Sequence, residues 1–132
     1  MTEETAHLLL VDENAAVRRA LVLRLTRAHD LQIIGDTGDL ETALEIVNEQ
    51  QPDVVILESK RRDGAALKFC QQVLEAPDPP TIVILTSFAN EDERLSLKHL
   101  GIEHYLLKDI ATDDLISLVH RLARKRIRTR AQ

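Results

Sequence analysis

Four short apolar runs, each ending on a polar or charged residue, restrict this chain to few architectures. They are His7–Val11 before Asp12, Val54–Leu57 before Glu58, Thr81–Leu85 before Thr86, and His104–Leu107 before Lys108. Apolar runs this short, without polar alternation, read as strands buried on both faces of a sheet. Residues 31–35, Leu-Gln-Ile-Ile-Gly, alternate more and read as an edge strand. Helical patterns fill the gaps. Leu40, Ala43, Leu44 and Val47 fall on one helix face, as do Val17, Leu21 and Leu25 in a first helix that Asn14 can cap. Residues 65–75 are apolar enough for another helix. Leu115, Val119 and Leu122 mark the last one, with Asp113 and Asp114 in its first turn, where acids favour the helix dipole. The stretch 90–100 is weakest, because Leu95, Leu97 and Leu100 make no clean stripe: they either pack inward or face a partner.

Five strands alternating with five helices predict an α/β fold, a doubly wound parallel sheet with helices on both faces. Right-handed crossovers bring the C-terminal ends of all strands to one edge, where open sheets of this class bind ligands. The 132 residues suit one domain, with a core large enough to need no disulfide. The single cysteine, Cys70, lies in an apolar helical stretch and reads as a small buried hydrophobe. No membrane span and no signal peptide are legible, and a cytoplasmic setting is expected. Residues 1–6 read as a disordered N-terminus, 7–123 as the domain, and 124–132 as a basic tail or linker. Every acid lies before Arg121, whereas Arg121 to Gln132 holds six Lys or Arg and no acid. An acidic body repels nucleic acid. DNA is therefore expected as a partner only if an output domain lies outside this chain.

The residues closing the runs are Asp12 with Glu13, Glu58, Thr86 and Lys108. Singly, each has an ordinary reading as a turn, cap or surface residue. Together at one sheet edge they make a chemical site. Three converging carboxylates repel and require a proton or a cation, and magnesium is the hard cation that oxygen ligands suit. A lysine and a hydroxyl beside them can hold phosphoryl oxygens.

These strings resemble the receiver (CheY-like) domain of bacterial two-component response regulators from Leu8 to about Ala123. Leu8–Glu13 resembles the first strand with its acidic pair. Pro52–Glu58 resembles the strand bearing the phosphoacceptor, and Ile84–Ser87 the strand with the switch hydroxyl. Gly101–Asp109 resembles the segment with the switch aromatic and the phosphate-binding lysine, most like LuxR/NarL-type receivers. The resemblance implies a flavodoxin-like strand order 2-1-3-4-5. It also implies a phosphoacceptor-equivalent Glu58, an acidic pocket of Asp12 and Glu13, a switch pair Thr86 and Tyr105, and a phosphate-binding Lys108. Any magnesium would take Asp12, Glu13, Glu58 and the backbone carbonyl of Lys60. Equally, Lys60, Arg61 and Arg62 can neutralise the pocket without metal.

The acceptor position departs from the family, with glutamate in place of aspartate. Ser59–Gly64 lacks the family's Met-Pro and is about two residues short of its usual loop. An extra methylene displaces the carboxylate by roughly an ångström, and such errors are costly in phosphoryl transfer. The expected function is an atypical receiver in a phosphorelay, not an enzyme, poorly phosphorylated at Glu58. It is expected to act through the face of the fourth helix, fifth strand and fifth helix on a sensor kinase, a downstream regulator or a second copy. Two alternatives stand. One is a phosphorylatable receiver of a transcription factor without its helix-turn-helix domain. The other is a small haloacid-dehalogenase-type phosphatase, which wants an Asp-x-Asp where this chain has Asp12-Glu13-Asn14.

Overall fold

The computed structural model describes residues 5–59 and 64–131, with side chains of the last helix described through Ile127. Ten elements alternate: β1 Ala6–Val11, α1 Ala15–Leu25, β2 Leu31–Thr37, α2 Leu40–Gln50, β3 Val54–Glu58, α3 Ala65–Leu74, β4 Thr81–Thr86, α4 Glu91–His99, β5 His104–Leu107 and α5 Thr112–Ala131. All strand pairs are parallel and the order is β2-β1-β3-β4-β5, so the expected doubly wound topology holds.

The apolar runs work by splitting their side chains between two cores. Leu8, Leu10, Val54, Ile56, Val83 and Leu85 pack with α1 and α5 on one face. Leu9, Val11, Val55, Leu57, Ile82 and Ile84 pack with α2 and α3 on the other. Strand side chains alternate between faces, so a strand covered on both sides needs apolar residues at every position. Phe69 and Cys70 of α3 are fully buried in the second core, and burial pushes the Cys70 thiol up to about 12.

Local signals set the helix starts. Asn14, Asp39 and Asn90 each accept a hydrogen bond from the backbone N–H three residues on, satisfying a donor the helix leaves unpaired. Gln51 ends α2 in the left-handed conformation at φ 49°.

Four expectations need correction. Ala6, assigned to a disordered N-terminus, is the buried first residue of β1. The fourth apolar run, read as a strand buried on both faces, is the edge strand β5, and its Leu107 is 45% exposed because no strand lies beyond it. Val17 stands largely outside the α1 core stripe, which begins at Leu21. Leu97 and Leu95 divide between the two readings offered for them: Leu97 is buried in the second core and Leu95 is exposed.

The basic tail continues the last helix, as its sequence suggests, and α5 runs to Ala131; Arg126, however, is buried rather than solvated. Its Nη1 donates to Asp53 Oδ1 at 2.8 Å, its Nε to the Pro79 carbonyl at 3.2 Å, and its Nη2 to the Asp78 carbonyl at 2.9 Å. Arg126 continues the spacing of Leu115, Val119 and Leu122, a signal that marked it for the inner face. The side chains after Ile127 and residues 1–4 lie outside the described set.

Candidate functional site

Residues at the C-terminal ends of β1 and β3 meet around the ammonium group of the residue after β5. Lys108 Nζ lies 2.8 Å from Asp12 Oδ2 and 3.6 Å from Glu58 Oε2. Both carboxylates are buried, whereas Lys108 keeps about a fifth of its side chain exposed. Parallel pairing sets this convergence: Lys108 N donates to the Thr86 carbonyl, and Glu58 closes a strand in register with Leu85.

Asp12 is held on three sides. Its Oδ1 accepts from Asn14 N at 2.9 Å and its Oδ2 from Lys108. Its main-chain carbonyl accepts from Arg18 Nη1 at 2.6 Å, and Arg18 Nε in turn donates to Asp36 Oδ1 at 3.0 Å. Sequence reading missed Arg18, Asp36 and Gly38. A Cβ on Gly38 would come within 3.1 Å of Arg18 Nη1 and 3.2 Å of the Asp12 carbonyl oxygen, so a side chain here would force these neighbours to give by a few tenths of an ångström.

Glu13 is exposed and lines the open cleft over the site, together with Asp39, Ser87 and Glu93. Among the described residues no group of three or more His, Cys, Asp or Glu is arranged to hold a metal ion. Two carboxylates of the expected magnesium set, Asp12 and Glu58, share the Lys108 ammonium. The remaining member of that set, Lys60, lies outside the described residues, as do Arg61 and Arg62.

Thr86 is buried, and its hydroxyl donates to the Phe88 carbonyl at 3.0 Å and accepts from Phe88 N at 3.3 Å, closing a turn. The Tyr105 hydroxyl donates to Glu93 Oε1 at 2.6 Å and accepts from Asn90 N at 3.2 Å. Partial burial, then the Glu93 bond, raises its pKa above the ordinary tyrosine value.

Fold and strand-end charges together define a signal receiver. The response regulator receiver domain family matches residues 8–120, and the chain belongs to it. Receiver domains are signalling domains rather than classical enzymes, and they generally bind magnesium at an acidic site. Among curated relatives, the chain is 31% identical over 110 residues to the DNA-binding transcriptional activator DevR/DosR of Mycobacterium tuberculosis, covering 83% of this chain and 51% of that protein. It is 24% identical over 121 residues to the nitrate/nitrite response regulator protein NarL of Escherichia coli, covering 92% and 56%. The chain therefore spans about half the length of the curated relatives it matches. Among solved structures, the signal receiver domain of a putative Luxo repressor protein from Vibrio parahaemolyticus superposes with a TM-score of 0.85 at 18% identity, covering 96% of each chain. The receiver domain of the putative response regulator NarL from Mycobacterium tuberculosis superposes at 0.82 with 20% identity, covering 92% of this chain and 98% of that one. At such identities the superpositions speak for the fold alone. Among the described residues no helix is long and apolar enough to cross a membrane.

Proposed function

We propose that this receiver is atypical: Glu58 occupies the phosphoacceptor position, and its pocket is held in one charged arrangement by Lys108. One observation carries this reading. The lysine that would bind an incoming phosphoryl group already sits between the two buried carboxylates, 2.8 Å from Asp12 and 3.6 Å from Glu58. A phosphoryl donor must displace that ammonium and also reach a carboxylate set one methylene too far forward.

Supporting this, the Thr86 hydroxyl is committed to Phe88. Signalling then runs through protein contacts of α4, β5 and α5, with a sensor kinase, a downstream regulator or a second copy as partner. In this reading the receiver begins at Ala6, the first residue of β1, and takes in the part of α5 that Arg126 fastens to the sheet. An output domain beyond it is proposed by analogy with the longer relatives.

The test is labelling by a small phosphodonor in magnesium, comparing the natural chain with Glu58→Asp. The expected outcome is no acyl phosphate on the natural chain, and labelling together with magnesium binding in the variant. Stoichiometric labelling of the natural chain at Glu58 overturns the reading.

A further inference from the structure

Tyr105 is the only tyrosine and the chain has no tryptophan. Its hydroxyl is held from α4. Asn90, the cap of α4, accepts from Glu93 N at 2.9 Å through its side chain, and its own N–H reaches the Tyr105 hydroxyl at 3.2 Å. The Glu93 carboxylate accepts a hydrogen bond from the phenol at 2.6 Å. Glu93 is thus fixed at both ends, by its backbone to the cap and by its side chain to the ring. A hydrogen bond to an ionised acceptor is about twice as strong as one between neutral groups. Thr86 lies close enough to Tyr105 to influence its acidity, but as the smallest of the contributions, and its single proton goes to Phe88.

We propose that Glu93 is the positioning residue for Tyr105, fixing the ring on the α4–β5 face independently of the charge state around residue 58. This rests on the reading of a locked pocket and deepens it by saying where the output face is set. Disturbing the first turn of α4 releases the ring, whereas changing the pocket does not. A partner engaging α4 therefore has direct access to the switch residue.

The test uses the full chain. Tyrosine emission has one source here, and 3-fluorotyrosine incorporation gives one fluorine resonance. A carboxylate that accepts the phenolic proton quenches tyrosine emission by excited-state proton transfer. Glu93→Gln is expected to brighten the emission and shift the resonance, with Glu93→Asp intermediate. Glu58→Asp and Lys108→Met are expected to leave both signals at the natural values. Circular dichroism and the urea midpoint confirm that each variant is folded. Unchanged emission in Glu93→Gln overturns the proposal, as does an equal change in Glu58→Asp or Lys108→Met. Labelling of natural Glu58 by phosphodonor would overturn the locked pocket without touching this result, so the two failures are told apart.

Discussion

At the N-terminal ends of the strands, Arg126 of α5 reaches Asp53 just before β3. At the C-terminal ends, Lys108 reaches Asp12 and Glu58. Both clusters pair a cation with buried carboxylate, yet they are built for different ends. All three Arg126 nitrogens are bonded, two of them to main-chain carbonyls of Asp78 and Pro79, and side-chain exposure is 6% for Arg126 and 4% for Asp53. Asp53 also accepts from His7 N at 2.9 Å, so this pole ties β1, β3, the loop before β4 and α5 together. Lys108 is a point charge on a flexible stem, shared unequally between two acids beneath an open cleft. A planar guanidinium fork fixes geometry, whereas an ammonium can change partners. The closed pole holds the fold, and the open pole is free to do chemistry or to have its chemistry blocked.

Breaking the closed pole gives the largest expected effect. Arg126→Met removes the cation but leaves Asp53 buried, and losing one partner of a buried pair costs roughly 3–5 kcal/mol. The urea midpoint measures it. Cys70 gives a second reading. Burial holds its thiol up at about 12, so a thiol reagent at neutral pH reaches it through opening of the fold. Its labelling should accelerate on the order of 10²- to 10³-fold, at about 1.4 kcal/mol per tenfold. A loss below about 1 kcal/mol, the range of a surface pair, would erase the contrast between the poles.

Lys108→Met tests the open pole and should cost less, roughly 1–3 kcal/mol near neutral pH, because water can reach the vacated cleft. The urea midpoint measures this loss too, and one as large as that of Arg126→Met would erase the contrast between the poles.

The open pole was the more legible of the two in the sequence. Asp12, Glu58 and Lys108 each stop an apolar run, and chain topology alone carries such residues to one edge. The even and odd partition of Leu8–Val11 and Val54–Leu57 between two cores was likewise implicit in unbroken apolar strands. Composition did not distinguish an edge from a centre, so β5 was read as buried, since nothing local tells Leu107 that no strand follows. Arg126 was hidden in a charge run whose ordinary fate is solvation, although its helical spacing pointed inward. Arg18 and Gly38 were hidden for another reason. Their work is on the main chain of Asp12, and close approach to a carbonyl leaves no residue-type signature. The Tyr105 to Glu93 bond needs the angle between β5 and α4, which only packing fixes.

The smallest expected effect separates the poles most cleanly. A methyl on Gly38 would lie 3.1 Å from Arg18 Nη1, 3.2 Å from the Asp12 oxygen and 3.3 Å from Glu13 Cα. Arg18 can yield, but the backbone at 12–13 is held by the sheet, so Gly38→Ala strains the Arg18 to Asp12 bond. The cost should be about 1 kcal/mol, the low end for overpacking. Its value lies in pairing it with the two larger changes. Gly38 and Lys108 act on the same residue, Asp12, so Gly38→Ala with Lys108→Met should depart from additivity by more than about 0.5 kcal/mol. Gly38 and Arg126 stand at opposite ends of strands that rise about 3.3 Å per residue, well beyond coupling range. Gly38→Ala with Arg126→Met should therefore add within about 0.5 kcal/mol. Coupling in the second pair and none in the first would reverse the assignment, making the Arg126 cluster the one that communicates with the loop around Asp12.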